Sequence, residues 1–94
     1  MTAAQRTKLI SEIRTDFQIP PWQSDETIGR AIERCYDRLC FLQGAEFDIS
    51  TDLQGKELLE NAVYYTLYHR YEEFEPAWQS NILSWQLGSG GDDQ

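Results

Sequence analysis

Hydrophobic side chains recur at helical spacing through most of this 94-residue chain. The densest stretch is residues 57–71, ELLENAVYYTLYHRY, where apolar and aromatic positions cover nearly the whole circumference of a helix at roughly 100° per residue. A helix with so little polar surface must be covered on more than one side. We therefore expect residues 57–71 to form the central helix of a small domain.

Three tyrosines of this stretch, Tyr64, Tyr68 and Tyr71, share one stripe at spacings of four and three residues. The chain has few residues elsewhere to cover them, so part of the cover can come from a second copy or from a partner. Alternatively, the tyrosines half-bury against the chain's own helices and keep their hydroxyls in water. The pattern leaves both interpretations open.

Two helices are predicted before the central one. The first spans residues 3–17 and ends at QIPPW, because a proline pushes the preceding residue out of the helical region. The second runs from about residue 25 to 42, with Ser24 as its N-cap and Gly44 beyond its end. The expected core positions are Leu9, Ile10, Ile13 and Phe17 on the first helix, and Ile28, Ile32, Cys35, Leu39 and Leu42 on the second.

A connector, AEFDISTDLQG, joins the second helix to the third, and Phe47, Ile49 and Leu53 are expected to fix it to the core. Asp52 or Thr51 is a candidate cap for the third helix. A fourth helix is predicted to begin near Phe74 or Glu75, with Pro76 tolerated in its first turn. Its predicted core face carries Phe74, Trp78, Ile82 and Trp85.

The resulting fold class is all-α, a small bundle of four helices. Residues 1–87 form a single domain, and residues 88–94, GSGGDDQ, form a flexible acidic tail with no apolar side chain to bury. Leu83 and Leu87 lie on the far side of the fourth helix and are candidates for an intermolecular contact.

The net charge of −8 is unevenly distributed. Residues 1–43 carry six basic and six acidic side chains, whereas residues 44–94 carry two basic and ten acidic ones. Such a surface repels phosphate backbones, which argues against specific nucleic-acid binding but allows DNA to slide through a passive channel.

Arg30, Arg34 and Arg38 form a stripe at four-residue spacing on the second helix. One interpretation is a solvated face that pairs locally with Glu26, Glu33 and Asp37. The other is a docking strip for an acidic neighbour.

Residues with catalytic or metal-binding chemistry are sparse. Cys35 and Cys40 are five residues apart, which on one helix is too far for a disulfide, so reduced thiols in a reducing, aqueous compartment are expected. His69 is the only histidine and is expected to pack on the central helix beside Leu58, Ala62 and Tyr65. We predict no enzyme activity, no cofactor, no metal and no membrane span.

The succession of segments resembles the small phage head-tail connector proteins, also called head completion or adaptor proteins. The resemblance covers roughly residues 8–87. It is carried by IPPWQSDETIGRAIERCYDRL, by the GAEFDI connector, by ELLENAVYYTLYHR and by FEPAWQSNILSWQL, the last two being the more specific. Pro76 stands where the family usually has an acidic run after the FE pair, and GSGGDDQ matches nothing in the family.

The resemblance implies a structural virion protein at the head-tail interface, assembled in the host cytoplasm. Its subunits would form a ring, twelvefold in the virion, that binds the portal protein and extends the DNA channel after packaging. A tail-side stopper or tail-completion protein would then dock on the ring, and DNA would pass without specific binding. The candidate interface residues are Arg30, Arg34, Arg38, Tyr64, Tyr68, Tyr71, Leu83 and Leu87.

Two other functions are compatible with the residues. A small acidic regulator that binds a host protein, of the DNA-mimic type, would be a monomer or dimer with its carboxylates on one continuous outer surface. An enzyme would need a pocket that nothing in the sequence predicts.

Overall fold

The computed structural model describes residues 1–88, which fold into five helices rather than the predicted four. The all-α class is confirmed for these residues. Of the predicted tail, only Gly88 is among them, as the last residue of the fifth helix; residues 89–94 lie outside the described part. The helices are α1 (Ala3–Asp16), α2 (Asp25–Gln43), α3 (Leu53–Leu67), α4 (Tyr71–Ala77) and α5 (Gln79–Gly88).

The first two helices begin and end close to their predicted bounds. Thr2 and Gln5 form a capping box at α1, in which each backbone N–H donates to the other residue's side chain. Ser24 caps α2 by accepting from the backbone N–H of Thr27 at 3.1 Å. Gly44 ends α2 with φ of 85°, a left-handed conformation that glycine adopts without a Cβ penalty.

The connector between α2 and α3 is fixed to the core by two of the three predicted residues. Ile49 is buried and Phe47 is half-buried, with its carbonyl accepting a 2.7 Å hydrogen bond from the hydroxyl of Tyr36. Leu53 was wrongly placed, because it is the first residue of α3 and 69% exposed. Asp52 caps α3, as predicted.

The third helix does lie at the centre of the fold, because α3 packs against α2, α4 and α5, while α1 packs against α2 and meets α3 through the Lys56–Glu12 ion pair. The core is continuous across all five helices. Its most deeply buried side chains, each with 1% or less of its surface exposed, are Leu9, Ile13, Ile28, Ile32, Cys35, Leu39, Leu58, Leu59, Ala62, Val63, Phe74 and Trp85.

The bounds of the central helix differ from the prediction. It runs over Leu53–Leu67 instead of residues 57–71, since the chain turns at His69, whose φ is 58°. The N–H of Arg70 bonds to the carbonyl of Tyr65 at 2.8 Å, and that of His69 bonds to Thr66 at 3.0 Å. These two bonds define a Schellman motif with histidine in the place usually taken by glycine.

This turn corrects two predictions. His69 is exposed in the turn and does not pack beside Leu58, Ala62 and Tyr65. Tyr71 is the first residue of α4, so the tyrosine stripe does not continue along one helix.

The predicted fourth helix is divided in two. It begins earlier than expected, at Tyr71, so Pro76 lies inside α4 and not in its first turn. Proline has no N–H to donate to the carbonyl four residues back, and its ring crowds that carbonyl. The helix continues one residue past this proline and stops at Ala77, and Trp78 joins α4 to α5. The four predicted core positions nevertheless lie in or against the core: Phe74, Ile82 and Trp85 are buried, and Trp78 is half-buried against them.

Both cysteines are free thiols, with Cys35 buried and Cys40 half-buried. Burial raises the pKa of the Cys35 thiol, which contacts the hydroxyl of Thr66 at 3.2 Å. Among the described residues, no helix has the length and apolarity to cross a lipid bilayer.

Candidate protein-binding surfaces

The three arginines of the α2 stripe have different environments. Arg30 pairs with Glu26 at 2.6 Å, and both side chains are largely exposed. Arg34 is exposed and forms no ion pair with any residue between 1 and 88. Only Arg30 therefore shows the local pairing predicted for this stripe. Of the other two acidic partners considered, Glu33 pairs with Arg6 of α1 at 3.0 Å.

Arg38 is committed to the fold. Its guanidinium binds both carboxylate oxygens of Glu75 on α4, at 2.8 and 3.3 Å, and lies 5.2 Å from the centre of the Phe41 ring. The hydroxyl of Tyr71 donates to the same carboxylate at 2.7 Å. The Arg38 hydrogen bond holds the pKa of Glu75 below its usual value, and burial raises the pKa of Tyr71. Arg38 and Tyr71 thus join α2 to α4 within one copy, and their role in a contact with another protein stays a prediction.

Tyr64 is 38% exposed on α3, and Tyr68, the residue that follows α3, is 43% exposed, which fits both interpretations of the tyrosine stripe. Their ring centroids are 5.1 Å apart, and the Tyr64 ring lies the same distance from Phe17 at the end of α1. We call the outward side of this helix the outer α3 ridge. Its residues fall within about 80° of one another at 100° per residue. They are Leu53, Glu57, Glu60, Tyr64 and Tyr68.

Carboxylates concentrate where the outer α3 ridge meets α1. Lys56 pairs with Glu12 at 3.0 Å, and burial raises the pKa of the half-buried Glu60. Glu12, Asp16 and Glu57 raise the pKa of Glu60 further, against the opposing effect of Lys56. The four carboxylates outnumber Lys56 and the neighbouring Lys8, so this side of the molecule is negative.

A solvent-open groove of about 680 Å³ runs between α4, α5 and the end of α2. Leu83 lines it and is 53% exposed; Leu87, one helical turn further along α5, is 71% exposed. The side-chain amide of Gln86 donates to the carbonyl of Leu42 at 2.6 Å, which holds α5 against α2 at this point. The remaining lining residues are Tyr71, Glu72, Glu75, Pro76, Gln79 and Ile82. We call this the α4–α5 groove.

Two exposed aromatic residues were not predicted as contact residues. Trp22 is 77% exposed in the α1–α2 loop, and Phe41 is 73% exposed near the end of α2. Phe41 lies on the opposite side of α2 from the buried ridge at 100° per residue, so the spacing already contained that signal. Trp22 sits between two prolines and a helix cap, where no periodic pattern applies.

The residues that the structure describes contain no group of three or more His, Cys, Asp or Glu side chains that could hold a metal ion. Comparison with protein-family models, with curated proteins and with solved structures found no match to this chain.

Proposed function

We propose that the protein is a structural assembly protein of the head-tail connector type. Its subunits form a ring, twelvefold in the virion, beneath the portal protein; the ring extends the DNA channel and offers a docking surface to a tail-side stopper or tail-completion protein. The observation that supports this proposal best is that exposed apolar and aromatic side chains lie on separate sides of a well-packed core.

These surfaces suit a subunit with several neighbours. The outer α3 ridge presents Tyr64 and Tyr68, and the α4–α5 groove presents Leu83, with Leu87 exposed one turn further along α5. A ring subunit needs two different surfaces for its two identical neighbours, because cyclic assemblies of more than two copies use head-to-tail contacts. A connector needs further surfaces above and below the ring. Several protein-binding surfaces on one small domain fit this requirement.

The acidic character of the chain fits passage of DNA without binding. Sixteen acidic and eight basic side chains give a net charge of −8, and a wall of this sign repels phosphate groups. The same charge also supports the alternative function, a small acidic regulator that mimics DNA and binds a host protein. The carboxylate cluster beside the outer α3 ridge is the observation that favours this alternative.

The test is the mass of the purified protein by light scattering, first alone and then mixed with the portal protein encoded by a neighbouring gene. We expect a ring, either alone or on the portal. A monomer or dimer that does not bind the portal would exclude the connector and favour the acidic regulator.

A double variant, Leu83→Glu and Leu87→Glu, tests the α4–α5 groove in the same mixture. We expect it to lose binding to the portal or to the tail-side protein. Ser84→Glu is the matched control, since Ser84 is exposed on the same helix between the two leucines. A double variant that binds both proteins like the unaltered chain would remove the groove from the proposed contacts.

A further inference from the structure

We propose that the outer face of α2 in one copy binds the outer α3 ridge of the next copy. This inference rests on the proposed function, because it identifies the subunit contact of the ring. By the outer α2 face we mean the exposed positions that fall within about 80° of one another at 100° per residue. They are Glu26, Arg30, Arg34, Asp37 and Phe41.

The two surfaces lie on opposite sides of the molecule. Helices α2 and α3 pack against each other through their inner sides, where the Cys35 thiol contacts the Thr66 hydroxyl at 3.2 Å. The outer α2 face and the outer α3 ridge therefore point away from each other and cannot meet within one copy. A contact between them joins two different surfaces of two copies, which is the head-to-tail arrangement that closes into rings.

The charges of the two surfaces are complementary at their centres. Arg34 has no carboxylate partner among the described residues, and Arg30 has only Glu26, in a pair that is about 70% exposed on both sides. Exposed ion pairs of this kind contribute little free energy to stability, so Arg30 can leave Glu26 for a carboxylate of another copy at a small cost in free energy. On the other surface, Glu57 and Glu60 belong to a cluster with an excess of carboxylates.

Each surface also carries exposed apolar or aromatic side chains beside its charges. Phe41 is 73% exposed on the outer α2 face, and Leu53 is 69% exposed on the outer α3 ridge, where Tyr64 is 38% exposed. Burial of these side chains at the contact would add binding free energy to that of the charge pairs.

Charge also argues against one of the two symmetric contacts. An outer α3 ridge against its own copy would bring two carboxylate clusters together, and like charges at close range cost free energy. The ridge therefore fits the outer α2 face, with its Arg34 free of a carboxylate partner among the described residues, better than it fits itself.

The test uses two charge reversals, Arg34→Glu and Glu57→Arg, followed by sedimentation of each variant alone and of their equimolar mixture at low salt. Each variant alone places like charges at every contact, so we expect its self-association to weaken by about tenfold or more. In the mixture, the glutamate introduced into the first variant meets the arginine introduced into the second, and the unaltered Arg34 meets the unaltered Glu57. We therefore expect the mixture to regain association in an alternating arrangement.

Glu72→Arg is the matched control for Glu57→Arg, because it makes the same change of charge at an exposed position in the α4–α5 groove, outside both surfaces. We expect it to associate like the unaltered protein. A mixture that fails to regain association, or single reversals without effect, would overturn the proposed contact.

The proposed contact would also be overturned if the unaltered chain stays monomeric at about 1 mM. At that concentration even an association with a Kd of about 1 mM is half-occupied. Binding to the portal is measured separately, so the two proposals can fail independently. Regained association without portal binding would support the subunit contact and exclude the connector function. Portal binding without regained association would support the connector function and exclude the subunit contact.

Discussion

The indole Nε1 of Trp85 donates a 2.8 Å hydrogen bond to Oδ2 of Asp52. The other oxygen of that carboxylate, Oδ1, accepts a 2.8 Å bond from the backbone N–H of Gly55 and caps α3. Phe47 packs edge-on against Trp85, with ring centroids 5.0 Å apart. One carboxylate thus joins the start of α3 to α5, and the connector packs on the same indole.

Replacing Asp52 by alanine is expected to lower the free energy of unfolding by about 2–3 kcal/mol, because the change removes both a helix cap and a hydrogen bond to a charged group. The measurement is urea unfolding followed by tryptophan fluorescence. Asp37→Ala is the control, since Asp37 is exposed and forms no ion pair within the described chain, and it should change stability by less than about 0.5 kcal/mol. Equal effects of the two variants would contradict the structural role of Asp52.

Neighbouring residues of α5 are expected to respond in opposite ways. Ile82 is 7% exposed and belongs to the core, so Ile82→Ala should cost about 2–4 kcal/mol of stability. Leu83 faces the α4–α5 groove, and Leu83→Gln should change stability by less than about 0.5 kcal/mol while it weakens binding to the portal or tail-side protein. The stability of both variants is measured by urea unfolding. A destabilising Leu83→Gln would show that Leu83 packs in the core.

Much of the fold follows from the sequence. The caps at Ser24 and Asp52 and the stop at Gly44 are local signals, and the structure uses all three. The core positions of α2 also follow from spacing alone, because a four-three repeat keeps them on one side of the helix. The prediction is reliable where a residue and its partner are close in sequence.

The errors arise where local signals are missing. Helix α3 ends just before His69, a non-glycine residue with φ of 58°. Histidine does not mark a helix end by its type, and the apolar pattern continues through the break. The candidate site shows the same limit, because the partner of Arg38 is Glu75, 37 residues away, and no local spacing reveals that pair.

The turn at His69 gives a test of this explanation. A left-handed conformation costs an ordinary residue roughly 1 kcal/mol, and glycine avoids that cost but loses more entropy on folding. We expect His69→Gly to stabilise the protein by about 0.5 kcal/mol and His69→Val to destabilise it by more than about 1 kcal/mol, since a β-branched side chain fits this conformation poorly. Thermal unfolding of both variants is the measurement. A valine variant as stable as the glycine variant would show that residue 69 is not left-handed.

Two glutamates are expected to affect stability with opposite signs. The pKa of Glu75 is lowered from 4.5 chiefly by its hydrogen bond to Arg38, so its ionised form stabilises the fold above pH 4.5 and this stabilisation is lost as the pH falls through the lowered pKa. The pKa of Glu60 is raised from 4.5, first by burial and then by Glu12, Asp16 and Glu57. Ionised Glu60 therefore opposes folding above its raised pKa, and that cost disappears as the pH falls toward 4.5.

These directions predict the behaviour of two neutral variants. At pH 7, Glu75→Gln should lower the free energy of unfolding by about 1 kcal/mol. The loss is no larger because the ion pair with Arg38 is partly exposed to solvent. At the same pH, Glu60→Gln should raise the melting temperature. The difference between Glu60→Gln and the unaltered protein should shrink as the pH falls toward 4.5, and that for Glu75→Gln should shrink as the pH falls below 4.5, because each glutamate then becomes neutral and resembles glutamine. Thermal unfolding between about pH 3 and pH 7 measures this, with Glu72→Gln as the control for loss of one exposed charge. If Glu60→Gln is the less stable protein at pH 7, the attraction of Glu60 to Lys56 outweighs its burial, and the carboxylate cluster beside the outer α3 ridge is not a source of repulsion.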